Sequence, residues 1–188
     1  MSLDADRPAA SPSLAGLSGP LSESHWSADF VMQAIEVLPV ELRDGRIISF
    51  RPDCADSLIV GWPAGARPED VAASAMRQLG LDPLVLHSTS WRHGGGEVVL
   101  TYLAVIGPSG GPPAEWEAVP VERTELARGG ATAPPPSIGV AQVLEHALRH
   151  LAWLLKDDAV VSAALPDWAG VLSTYEPEPF RALGEPGG

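Results

Sequence analysis

Apolar and polar positions alternate along much of the first two thirds of the chain, and a helical period takes over at the end. The stretch 34–42 is rich in strand-forming residues. Asp44-Gly45 is a strong hairpin turn, and 46–51 returns as a second strand. "SLIVGW", 57–62, predicts a short buried strand. "LVLHSTSWRH" and "EVVLTYLAVI" flank three glycines and predict a long hairpin over 84–92 and 97–106, with one more strand near 117–122.

Two helices stand out. Over 69–79, Val71, Ala72, Ala75, Met76 and Leu79 share one face. Pro68 fits the first turn, Glu69 and Asp70 suit the positive end of the helix dipole, and Gly80 stops the helix. From Ile138 onward, Val140, Val143, Leu144, Ala147, Leu148, Leu151, Leu154 and Leu155 form an apolar stripe. "DWAGVLSTY" predicts one more short helix. Strands, helix, strands and helix together predict an α+β fold: a mixed β-sheet flanked by helices.

Residues 1–27, rich in Ser, Pro, Ala and Gly, read as a flexible N-terminal tail, 28–183 as a single domain, and 184–188 as a disordered end. The 188 residues carry 24 acidic and 12 basic side chains, a formal charge of -12. Such a surface disfavours nucleic acid and anionic lipid as partners. Cys54 is the only cysteine, so neither an internal disulfide nor a cysteine-based zinc site can form within one chain. The opening lacks the apolar core of a secretory signal, and a cytoplasmic location is expected.

"PEDVAASAMRQLGLDP", 68–83, with its Pro-Glu-Asp start, its alanines and its Gly-Leu stop, resembles a Nudix box, and the order of elements resembles the Nudix hydrolase family over roughly 30–160. The resemblance implies an α/β/α sandwich. It also implies a helix whose glutamates bind magnesium or manganese, in the pattern G-x5-E-x7-R-E-U-x-E-E-x-G-U with U aliphatic. With the final Gly-aliphatic pair set on Gly80-Leu81, the adjacent glutamates fall on Arg77 and Gln78, the Arg-Glu pair on Ala73 and Ser74, and the earlier glutamate on Gly65. Hard cations need several oxygen ligands, and this box does not offer them. The reading is a Nudix-like domain with a degenerate box, acting by binding a small anionic or nucleotide-like ligand or a protein partner. No cofactor is expected. Two alternatives stand beside it: a divergent, magnesium- or manganese-dependent pyrophosphohydrolase acting on nucleoside-diphosphate-linked substrates, and a self-associating protein, for instance a homodimer.

Candidate ligand-binding residues are Arg77, Trp91, Arg92 and Trp116. Arg77 places a cation where the family holds a metal, Trp91 offers a stacking face, and Arg92 can meet an anion. Strand alternation predicts His87, Thr89 and Trp91 on one side of the sheet and Ser88, Ser90 and Arg92 on the other. Trp116 is expected at a pocket mouth or a contact between copies, and Trp153 is expected to be buried. Under the hydrolase alternative, Glu69, Glu115, Glu117 and Glu122 are the displaced carboxylates. His146 and His150 have the four-residue spacing of a metal pair but lack an obvious third ligand. No G-x-S-x-G elbow supports a serine hydrolase.

Overall fold

The computed structural model describes residues 32–94, 97–108, 111–125 and 138–178. The tail over 1–27 with its Trp26, the middle of the glycine turn and the end over 184–188 lie outside the described residues. Six strands form one mixed sheet: β1 (Met32–Arg43), β2 (Arg46–Pro52), β3 (Leu58–Gly61), β4 (Pro83–Gly94), β5 (Glu97–Ile106) and β6 (Trp116–Pro120). Four helices accompany them: α1 (Pro68–Gln78), α2 (Val140–Asp157), α3 (Ala159–Ala164) and α4 (Trp168–Leu172). The α+β architecture expected from the sequence is present. Among the described residues no helix is long and apolar enough to cross a membrane.

β1 organises the sheet, whose order is β4-β5-β1-β2-β6. It runs parallel to β5 through the register Met32↔Glu97 to Val40↔Val105. Its other edge is shared by two antiparallel neighbours, β3 against residues 34–37 and β2 against residues 40–43. Asp44 (φ 51°) and Gly45 (φ 72°) both adopt the left-handed conformation of a tight hairpin turn, which joins β1 to β2.

Alternation along β1 feeds two cores. Ile35 and Val37 point to the side covered by α1, where they meet Phe50, Tyr102, Ala104, Ala72, Met76 and Leu81. Leu38 and Val40 point to the opposite side, against Leu103, Val105, Leu144, Ala147, Leu148 and Leu151 of the α2 layer. The result is three layers, helix on sheet on helix.

α1 ends as its glycine predicts. Gly80 (φ 71°) donates its N–H to the Arg77 carbonyl at 3.0 Å, and Leu81 donates to the Met76 carbonyl at 3.0 Å. This is a Schellman cap, and Leu81 then packs in the same apolar cluster as Met76. At the other end of the fold, Asp158 caps α3 by accepting the amides of Val160 at 2.8 Å and Val161 at 3.2 Å.

Two expectations are corrected here. β3 is not a buried strand. It pairs with β1 alone, and Ile59 is 57% exposed. The simple alternation along β4 also fails, because a bulge sits at Thr89: Ser88 pairs with Tyr102, but Ser90 pairs with Thr101. The extra residue reverses the phase of the strand beyond it. Trp91, opposite Leu100, therefore lies on the α1 side, while Arg92, opposite Val99, joins the side that His87 occupies.

A methyl group added at Gly80 would meet nothing within 4 Å, so its cost is that of the backbone alone. Gly80→Ala is expected to destabilise the protein by about 1–2 kcal/mol, measured by urea denaturation.

Candidate functional site

Three places on the molecule bring chemically active side chains together: the α1 face, a buried carboxylate in the sheet, and a histidine pair beneath α2.

Along α1, an open groove of about 340 Å³ runs between the helix and β3, lined by Val60, Gly61, Pro63, Asp70, Val71, Ser74, Ala75 and Gln78. Ser74 and Gln78 are one turn apart on the same face. Arg77 stands exposed in the last turn, its Nε donating to the Ala73 carbonyl at 3.4 Å. Glu69 is engaged by Arg67 beside it. A backbone hydrogen bond, and after it that contact, holds Glu69 below the usual carboxylate range.

The second place was not visible in the sequence. Glu36, in the middle of β1, is completely buried on the α2 side of the sheet. Burial by itself raises a carboxyl pKa, but the hydrogen bonds and charge around Glu36 outweigh it and hold the group below its ordinary value. Arg92 approaches in two-pronged fashion, Nη1 to Oε2 at 2.5 Å and Nη2 to Oε1 at 2.9 Å. Ser57 donates to Oε1 at 2.7 Å and Thr101 to Oε2 at 3.0 Å. The anion that Arg92 meets is thus a residue of its own chain. The sequence signal was a lone Glu inside the apolar run "AIEVLPV".

A second buried carboxylate, Glu145 on α2, is held the same way. Arg123 binds both its oxygens at 3.0 and 2.8 Å, and Arg149 adds a bond at 2.9 Å. Arg123 also reaches the Thr174 carbonyl and lies over the Tyr175 ring. This network ties the segment after β6 and the chain after α4 to the same helix.

The third place joins β4 to α2. Nε2 of His87 lies 3.1 Å from Nε2 of His150. The ring centroids are 5.1 Å apart and the planes differ by 14°. Rings so nearly parallel, yet with nitrogens this close and centres this far apart, meet edge to edge through their nitrogens. The two nitrogens are within hydrogen-bond distance, and among the described residues no third His, Cys, Asp or Glu joins them to complete a metal site. Trp153, half-buried, lies beside His150, at 5.4 Å between ring centroids.

The remaining expected residues are dispersed. Trp91 is 52% exposed on edge strand β4. Trp116 is half-buried and packs against the α1-side core. Glu117 binds Arg51 through Nε at 2.9 Å and Nη2 at 2.8 Å, beside a surface pocket that also contains exposed Cys54. Glu115 and Glu122 are exposed, and His146 is half-buried. Among the described residues, no three His, Cys, Asp or Glu side chains converge to hold a metal ion.

No family model matches the chain, and no curated protein sequence matches it. Solved structures do. The Ap4A hydrolase of C. elegans aligns with 49% of this chain and 82% of its own length at 13% identity, with a TM-score of 0.39. The ORF135 protein of E. coli aligns with 54% of this chain and 78% of its own at 15% identity, with a TM-score of 0.32.

Removing Arg92 leaves a buried, uncompensated charge. Arg92→Met is expected to cost about 3–5 kcal/mol near neutral pH, read by urea denaturation. In the wild type, the folded pKa of Glu36 is lowered, so its contribution is present above the unfolded value and is lost as pH falls through the folded one. In the variant Glu36 takes up a proton more readily, so the gap between the two proteins narrows as the solution is acidified.

Proposed function

We propose that this chain is a Nudix-like binding protein that takes a small, nucleotide-like anion in the groove between β3 and α1, without the metal-dependent hydrolysis that the motif implies. The observation that carries this reading is the chemistry of the helix face in that groove. Ser74 and Gln78 line it at positions where the motif sets metal-binding glutamates. A hydroxyl and a carboxamide form hydrogen bonds but do not balance the charge of a magnesium ion.

The groove's composition supports an oriented ligand. Val60, Pro63 and Val71 give an apolar wall for a flat ring. Asp70 lies at the start of the helix and repels an anionic group there. Arg77, seven residues on and so about 10 Å further along the axis, does not line the groove but attracts an anion toward that end of the helix. A phosphate or carboxylate would therefore sit toward the C-terminal turn. The ion pairs of Glu69 with Arg67 and of Glu117 with Arg51 support this reading over the hydrolase alternative, since they engage two of its four candidate carboxylates.

The test is calorimetric titration with nucleoside mono- and diphosphates, in chelator and again with manganese, alongside an assay for released phosphate. Binding is expected in chelator. It should weaken about tenfold or more in Arg77→Glu, the loss of one charge-assisted contact with repulsion added, and in Ser74→Trp, which fills the groove. Manganese-dependent turnover would establish the hydrolase alternative instead. Absence of binding to any member of the panel, with concentration-dependent association of the protein, would favour the self-associating one.

A further inference from the structure

The histidine pair lies on the opposite side of the sheet from the groove and has no part in the proposed ligand site. Its hydrogen-bond directions can be worked out from its partners. Nδ1 of His150 faces the main-chain carbonyl of Glu178 at 3.3 Å. A carbonyl only accepts, so Nδ1 carries the proton and donates. In the neutral ring, Nε2 of His150 is then the bare nitrogen, and the hydrogen bond at 3.1 Å requires His87 to donate from its own Nε2. One chain of donors thus runs from β4 through α2 to the segment after α4. That segment is also attached at the same place by the Glu178 amide, which donates to the Arg149 carbonyl at 3.2 Å.

We propose that His87 and His150 form an acid-sensitive latch, which fastens α2 and the segment around Glu178 to edge strand β4 through one N–H···N bond and opens when both rings are charged. Among the described residues, the following charged and titratable groups act on the pair. From the α2–α3 junction, Asp158 acts on His87, though its carboxylate already accepts two α3 amides. From α2, His146 lies one turn before His150 and adds a like charge when protonated. From the segment after α4, the Glu178 carbonyl supports the proton on Nδ1. The first added proton goes to His87, the member nearer Asp158, and leaves the bridging bond intact. The second must enter at Nε2 of His150, where it removes the acceptor and sets two positive rings at contact distance.

Burial lowers the pKa of both rings. Asp158 partly offsets this for His87, while the charges of His87 and His146 add to it for His150. The unfolded chain therefore binds protons first. Stability from this pair is complete above the unfolded value of about 6.5 and is lost as pH falls from there through the lowered folded values.

Nitrogen NMR of the imidazole rings at about pH 7.5 should show His150 protonated on Nδ1 and His87 on Nε2. Hydrogen exchange, corrected for intrinsic rates, should show protection of the β4 and 175–178 amides falling about tenfold or more between about pH 7.5 and 5. The half-exposed His87→Gln should lose most of that dependence, and His146→Gln should keep it. Opposite tautomers, or a wild type and His87→Gln that lose protection in parallel, would overturn the latch. Neither outcome bears on ligand binding in the groove, which the calorimetry tests separately.

Discussion

Everything in this molecule is arranged around one strand that has no free side. β1 exchanges backbone hydrogen bonds with three neighbours and sends alternate side chains into two separate cores. A strand so placed has no room for a polar group unless the group brings its partners with it. Glu36 meets that condition, because Ser57 from the loop before β3, Thr101 from β5 and Arg92 from β4 converge on it. The same carboxylate that would otherwise unfold the sheet thereby fixes the mutual register of four segments.

Cations are scarce in a chain with twice as many acidic as basic side chains, and most of those described are committed to its own architecture. Arg92 neutralises Glu36, while Arg123 and Arg149 neutralise Glu145. Arg51 and Arg67 hold surface carboxylates. Arg77 is different in kind, since its contact is a long bond to its own helix backbone. Among the described residues Arg46 and Lys156 also form no ion pair, and Arg77 is the one of these three on the helix that borders the groove.

Most of the strands and the two long helices were legible because period and punctuation agree there. Asp44-Gly45, Pro68 and Gly80 mark boundaries by backbone chemistry that needs no tertiary context. The stripe from Val140 to Leu155 shows a helix by its spacing alone. What could not be read were events between elements. The bulge at Thr89 depends on how β4 pairs with β5, and it alone decides that Arg92 turns inward while Trp91 turns out. The contact of His87 with His150 joins residues 63 positions apart. The edge position of β3 follows from the order of strands, which an apolar run of four to six residues does not specify.

The irregularity at Thr89 also shapes what can approach the sheet from outside. β4 is the terminal strand and, at 12 residues, equals β1 as the longest in the sheet. Such a border ordinarily invites another extended segment to zip alongside it. Here the two halves of the border are out of phase by one residue, so a visiting strand matched to one half presents the wrong faces to the other. Any such pairing is held to about half the length the border offers, which guards against indefinite stacking.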